Sequence, residues 1–265
     1  MTHDKKHRVA EIFGPTIQGE GRNVGMPCHF VRFGGCDFRC DWCDTPHAVL
    51  PDLVAKLPKM TDWEIVGALR RLDRDGDASA TPVWIVLSGG NPALRDLDGL
   101  IDLLHSQKKK VMLETQGSVY RQWFGKVDDL CFSPKPPSSK MDWDFDNFDK
   151  ILTELHKDNP VSSVVHPPYL KVPVFTYADL EFAARVHQTW PYLEFFVSIG
   201  NDDPSLPTVG NPNPVVDDST VVLTRDVVLD NFADWTEAVL LRQEFADCRI
   251  FPQQHTLIWG NERGR

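Results

Sequence analysis

Seven apolar, β-rich runs punctuate the chain: CHFVRF (28–33), VWIVL (83–87), VMLE (111–114), DLCFS (129–133), LKVPVF (170–175), EFFVSI (194–199) and CRIFP (248–252). Several are nearly continuously apolar, the pattern of strands covered on both faces. Between them lie segments with helical spacing. Thr61, Asp62, Trp63 and Glu64 have the arrangement of a capping box and open a helix carrying Ile65, Leu69 and Leu72 on one side. Residues 94–105 and 177–188 have similar apolar spacing, and 234–245 a looser version of it. Strand alternating with helix predicts an α/β fold with a mostly parallel sheet, open or rolled into a barrel. At 265 residues the chain has the length of one α/β domain or of two small ones, and a single domain over 1–265 is the expectation.

Two segments depart from the alternation. Residues 200–219 hold four prolines and two glycines and read as a long loop. SPKPPSSK (133–140) directly follows a strand and is too rich in proline to be helical. In parallel α/β folds the loops leaving the carboxyl ends of strands build the active site. That rule gathers GGCDFRC, SGGNP, ETQG, SPKPP and SIGND on one rim, since each follows an apolar run.

Three of the six cysteines, Cys36, Cys40 and Cys43, stand in C-x3-C-x2-C spacing, while Cys28, Cys131 and Cys248 are scattered. A structural zinc site takes four ligands, usually from two separated pairs. Cys28 is open to two readings, a fourth ligand or a small core residue. Three thiolates on a four-iron cluster leave one iron open for another ligand, and the triplet favours that arrangement over zinc. Gly34 and Gly35 ahead of Cys36 allow a sharp turn close to such a cluster.

The wider composition sets limits on partners. Lys and Arg number 28 against 38 Asp and Glu, a net charge of −10 that repels a phosphate backbone, so no nucleic-acid partner is expected. No stretch approaches the roughly 20 apolar residues of a membrane helix, and MTHDKKHRVA is not followed by an apolar leader region. The expectation is a cytoplasmic protein with no membrane contact, where reduced thiols stay available to metal. Neither a Gly-x-Ser-x-Gly elbow nor a Walker-type phosphate loop is present.

The cysteine spacing resembles that of the radical S-adenosylmethionine (SAM) enzymes. EIFGPTIQGEG (11–21), the Cys43-Asp44-Thr45 step, SPKPPSSK and PQQHTLIWG (252–260) make the chain similar, from residue 11 to its end, to 7-carboxy-7-deazaguanine synthase. The resemblance implies an incomplete parallel β/α barrel and a homodimer. It also implies a [4Fe-4S] cluster on Cys36, Cys40 and Cys43, and a 6-carboxy-5,6,7,8-tetrahydropterin substrate that loses ammonia. Gln18-Gly19-Glu20-Gly21 sits ahead of the first expected strand, where Gly19 and Gly21 would let backbone amides approach a small polar ring. By the resemblance, Ile17, Gln18, Gly19 and Glu20 would bind the pterin and Arg32 its carboxylate, with Ser88, His255 and the terminal Arg265 completing the pocket. Thr45 would hold Mg²⁺, to which a hydroxyl is suited as a hard ligand. SAM would lie against Trp42, Cys43, Asp44, Gly90, Ser133, Pro134, Lys135, Ser198 and Asn201, and a flavodoxin or ferredoxin would supply the electron.

Asn91 departs from the wider radical SAM pattern, where Glu follows the glycines. Asn keeps an acceptor oxygen but loses the charge, which puts its contact with the methionyl ammonium in question. Glu114, Thr115, Gln116 and Gly117 end another strand, and their polar groups would be able to bond ribose or substrate. Two rival readings share the cysteines: a radical SAM activase of a protein glycyl partner, and a zinc-binding interaction module.

Overall fold

The computed structural model describes residues 4–72, 82–158, 167–203, 207–214, 225–260, 262 and 264. Its strands are β1 (Lys6–Ile17), β2 (Pro27–Phe33), β3 (Lys59–Thr61), β4 (Trp84–Gly89), β5 (Lys110–Thr115), β6 (Asp129–Phe132), β7 (Tyr169–Val174), β8 (Glu194–Ile199) and β9 (Arg249–Pro252). The helices are α1 (Pro46–Val49), α2 (Pro51–Lys56), α3 (Asp62–Leu72), α4 (Asp98–Ser106), α5 (Phe145–Asp158), α6 (Tyr177–Thr189), α7 (Arg225–Leu240) and α8 (Gln254–Trp259). All nine strands join one open sheet in the order β3-β1-β2-β4-β5-β6-β7-β8-β9. From β2 through β4 to β9 every neighbouring pair is parallel, while β1 runs antiparallel to both β2 and β3. This is the incomplete β/α barrel expected, with an antiparallel edge added.

Period-two alternation separates the two faces of the sheet. Outward residues such as Val31, Ile85, Leu87, Val111, Leu113, Leu170, Val172 and Val197 belong to the large core shared with Ile65 and Leu69 of α3, Leu100 and Leu104 of α4, Phe148 and Ile151 of α5 and Leu180 of α6. Inward residues near the strand starts form two smaller apolar groups: Cys28, Val86 and Met112, and Cys131, Tyr169, Phe196 and Phe251. These make a floor. Above it the inward positions turn polar, with Arg32, Ser88, Glu114, Lys171 and Ser198 each two or four residues further along the same strands.

The capping box at α3 is formed. Thr61 N donates to Glu64 Oε2 at 2.7 Å, and Glu64 N donates back to Thr61 Oγ1 at 3.2 Å. Thr61→Ala removes one of the two reciprocal bonds and is expected to lower stability by about 1 kcal/mol, read as a lower urea midpoint at unchanged m. A second box at α6 uses Thr176 and Asp179. Asp179 is fully buried and also accepts from Phe175 N at 3.0 Å and Ser138 N at 2.9 Å, tying the start of α6 to the proline-rich loop.

Four sequence expectations need correction. Gln18-Gly19-Glu20-Gly21 does not precede the first strand; it follows β1, whose mixture of polar and apolar residues hides it from a search for apolar runs. The helical pattern at 94–105 starts as a helix only at Asp98, because Arg95 is extended and Asp96 is held by Lys5 at 2.7 Å. The pattern at 234–245 belongs to a helix that begins at Arg225 and stops at Leu240; extended Arg242, bonded to Glu181 and Glu244, ends it. Within SPKPPSSK, residues Pro137–Ser139 form a single 3₁₀ turn. The 200–219 segment is loop wherever it is described. Among the described residues, no helix is long and apolar enough to cross a membrane.

Candidate active site

The polar inner residues and the loops above them line one cavity of about 260 Å³. It is walled by Phe13 and Ile17 of β1, Phe30 and Arg32 of β2, and the cysteine loop with Cys36, Cys40, Trp42, Cys43, Asp44 and Thr45. Ser88 and Gly90 at the end of β4, Glu114 to Gln116 at the end of β5, and Ser133 and Lys135 after β6 continue the wall. Ser198 in β8 and Asn201 after it, with Gln253 and His255 from the C-terminal segment, close it. Five loops that are separate in sequence therefore meet where the parallel strands end.

Lys171 holds one side of the cavity. It is 6 % exposed, and its ammonium donates to Glu20 and, at 3.1 Å, to Glu114 Oε1. Gln18 Nε2 also donates to Glu114 at 3.2 Å, while Ser198 Oγ and Gln253 Nε2 donate to Glu20 Oε1 at 3.0 and 2.9 Å. Burial opposes ionisation of Glu20, but the charges of Lys171 and His255 and the bonds from Lys171 and Gln253 outweigh it and hold the carboxyl down at about 2. Burial likewise disfavours the Lys171 ammonium, and Glu114 and Glu20 reverse this, pushing its pKa well above the ordinary value. Glu20 is thus a fixed carboxylate with several donors already in place.

Arg32 lies across from β1. Its Nε is buried without a hydrogen-bond partner, 3.7 Å from Glu11 Oε1, and its guanidinium sits 6.0 Å over the Phe13 ring. Phe13 stacks on Phe30 with centroids 5.0 Å apart. A buried guanidinium with an unused N–H is suited to an anionic group entering the cavity. Gly19 allows the 18–21 turn to come close: a Cβ there would lie 2.1 Å from His255 Nδ1.

The cysteine loop is fastened from several sides. Gly35 N donates to Ala48 O at 2.7 Å, Arg39 Nη1 donates to Cys36 O at 2.6 Å, and Val209 N donates to Cys43 O at 3.0 Å. Gly90 packs against the same loop, where a Cβ would meet Gly35 O at 2.3 Å and Ala48 O at 2.8 Å. Burial pushes the Cys36 thiol up to about 11 and Cys40 to about 12, and raises Cys43, with the Lys135 ammonium acting in the opposite direction at all three. Any metal taken up by these thiols would have to displace their protons.

Among the described residues, no three or more His, Cys, Asp or Glu side chains gather as the ligands of a single ion would. Cys36, Cys40 and Cys43 are free thiols that line one wall of the cavity. Cys28 is wholly buried with Val86 and Met112, so of its two readings the core residue is the one observed. Thr45 Oγ1 lies 3.3 Å from Cys43 Sγ and reaches the cavity.

Beside the cysteines, Trp42 packs against Phe175 with ring centroids 4.7 Å apart and planes tilted by 31°, donates from Nε1 to Ser138 Oγ at 2.9 Å, and lies under the Lys135 ammonium at 5.8 Å. Lys135 Nζ donates to Ser133 Oγ at 2.9 Å. Of the residues expected at the site, Pro134 is buried and absent from the cavity wall, and Arg265 lies outside the described residues. Gly21, expected to let the backbone approach a ligand, instead adopts φ +73° and packs against Tyr169, whose hydroxyl would be 2.6 Å from a Cβ. Sequence reasoning missed Lys171, Gln253, Phe13, Phe30 and Phe175. A lysine inside the otherwise apolar YLKVPV strand was the signal available for the first.

The fold and cavity have counterparts among known proteins. No family model matches the chain. The 7-carboxy-7-deazaguanine synthase of Bacillus subtilis (strain 168) is 41% identical over 257 residues, 97% of each chain. The Bacillus cereus protein of the same name is 35% identical over 257 residues, covering 97% of this chain and 98% of that one. The crystal structure of QueE from Escherichia coli superposes with a TM-score of 0.61 over 94% of this chain and 95% of that chain at 20% identity, and shows the same fold. Near-complete coverage at 41% identity places this chain in the 7-carboxy-7-deazaguanine synthase family.

Proposed function

We propose that the protein is a radical SAM lyase that converts 6-carboxy-5,6,7,8-tetrahydropterin to 7-carboxy-7-deazaguanine with release of ammonia. The observation that carries this reading is the shared cavity: the cysteine triplet, the ionised Glu20 and the half-buried Arg32 all face one space of about 260 Å³. Cys36, Cys40 and Cys43 would hold the [4Fe-4S] cluster, and the wall from Trp42 to Asp44 with Gly90, Ser133, Lys135, Ser198 and Asn201 would receive SAM. Bound together, these cofactors supply one-electron cleavage of the sulfonium and hence hydrogen-atom abstraction from a substrate carbon.

The protein's own residues then bind and orient. Glu20 accepts from the ring N–H groups of the pterin, with Gln18 and the Gly19 backbone beside it, and Arg32 donates to its carboxylate. Ser88 and His255 border the same substrate. Thr45 offers a hydroxyl for Mg²⁺, which would clamp that carboxylate from the cysteine side. The stacked Phe13 and Phe30 rings keep water from the face they cover. A flavodoxin or ferredoxin as reductant, and a homodimeric assembly, belong to the same reading. The activase alternative is disfavoured by a small cavity furnished for a carboxylate rather than an open groove for a polypeptide.

Anaerobically reconstituted protein given SAM, a reductant and the carboxy-tetrahydropterin is expected to form the deazaguanine product, detected by mass, with a higher rate when Mg²⁺ is added. SAM cleavage that ignores both pterin and Mg²⁺ would overturn the reading in favour of another radical SAM branch.

A further inference from the structure

Asn91 follows the two glycines at the end of β4 but does not face the cavity. It is wholly buried, and every polar group of its side chain is committed. Nδ2 donates to Asp37 Oδ1 at 2.9 Å and to Ser118 Oγ at 3.1 Å. Oδ1 accepts from Ala93 N at 3.1 Å and from Thr115 Oγ1 at 2.8 Å. The orientation of the amide follows from these partners: a backbone N–H can only donate and a carboxylate can only accept, so oxygen faces Ala93 and nitrogen faces Asp37. A glutamate or aspartate at this position would set acceptors against the acceptor of Asp37.

The backbone of the same residue makes a second attachment. Asn91 N donates to Gly35 O at 2.8 Å. Gly35 and Asp37 are the two neighbours of Cys36, so Asn91 grips the chain immediately before and immediately after the first cysteine of the triplet. Gln116 reinforces the later grip, donating from Nε2 to Asp37 Oδ1 at 2.6 Å. The earlier grip is a backbone bond that any non-proline residue makes; the later one needs a side chain that both donates and accepts.

From this geometry we infer that Asn91 is a positioning residue for Cys36: paired with Asp37, it fixes the first thiolate for cluster binding and makes no contact with SAM. The inference rests on the reading of the cysteine triplet as a cluster site. Two substitutions separate it from a general packing role. Asn91→Asp keeps size and sets a buried carboxylate against that of Asp37, and Asp37→Asn on that background restores one donor and one acceptor across the gap.

The wild-type protein and the variants N91D, D37A and N91D/D37N would be reconstituted anaerobically with iron and sulfide. Iron and sulfide per chain, the electron paramagnetic resonance of the reduced cluster and the thermal midpoint would then be measured with and without SAM. The expected result is at least fivefold lower iron retention in N91D, recovery to within twofold of wild type in N91D/D37N, and an unchanged SAM-induced spectral shift in whatever fraction loads. Full iron retention in N91D with more than tenfold weaker SAM binding would overturn the inference and make Asn91 a SAM contact. A double variant no better than N91D would also overturn it. Should N91D fail to fold, D37A decides: Asp37 is exposed as a residue, so the variant keeps its thermal midpoint, and undiminished iron retention there refutes the positioning role. Failure of wild type to take up iron at all would instead refute the cluster reading.

Discussion

Lys171→Met is expected to cost about 3 kcal/mol of stability at neutral pH, the scale for removing one partner of a buried ion pair, and at least a hundredfold in kcat/KM. The lysine is 6 % exposed and is the shared cation of Glu20 and Glu114. Methionine fills the volume without the charge, leaving both carboxylates on the cavity wall without the ammonium they share. The pH dependence separates this from a loss of packing. In the wild type Glu20 is held at about 2 against an ordinary value of 4.5, so its stabilising contribution is complete above 4.5 and is lost as pH falls towards 2. In the variant burial acts with much less opposition, the Glu20 pKa rises, and ionisation in the folded state becomes the penalised event. Stability of the variant should therefore fall as pH rises above the ordinary carboxylate range. Urea denaturation between pH 4 and pH 8 should show the gap between the two proteins narrowing towards pH 4. A constant gap across that range would mean that Lys171 acts through volume alone.

The second large effect is steric. Gly90→Ala places a Cβ 2.3 Å from Gly35 O and 2.8 Å from Ala48 O, both backbone atoms with no side-chain freedom to yield. The cysteine loop and the end of β4 must separate, and with them the bond from Asn91 N to Gly35 O. The expected outcome is a folded chain that retains less than a tenth of wild-type iron after anaerobic reconstitution and cleaves SAM correspondingly slowly. Gly67→Ala in α3 is the matched control: its Cβ would approach only the Arg71 guanidinium, at 3.7 Å, so iron retention should stay at the wild-type level. Equal iron in G90A and G67A would show that the close approach at Gly90 is dispensable.

The parallel strands were legible because their apolar runs are long enough to be buried on both faces. β1 was not, because its inner and outer faces differ and its polar residues reach across the cavity or into solvent. Lys171 was hidden for a related reason: inside a strand a lone lysine reads as an interruption, and only the topology brings Glu20 and Glu114 to it. The cysteine triplet stood out because its local spacing marks it, whereas Thr45 and the roles within the SPK segment entered only through the family resemblance; the structure puts Thr45, Ser133 and Lys135 on the cavity wall. Gly21 was misread because a glycine that makes room for Tyr169 and one that makes room for a ligand look alike until the partner is placed. Asn91 was singled out from sequence, but its partners come from the cysteine loop (Asp37) and from the end of β5 and the turn after it (Thr115, Ser118), and nothing local could assign them.

The open side of the sheet is spanned by two distant segments: Gln254 N donates to Gly19 O at 3.0 Å, and Gln253 donates to Glu20 across 233 positions of sequence. Contacts of such separation are costly to close and form late. During synthesis, the cysteine loop and most of the cavity wall emerge long before α8. A nascent chain thus carries the three thiols before the cavity wall is complete, and the closure that aligns Glu20 waits for Gln253 and Gln254.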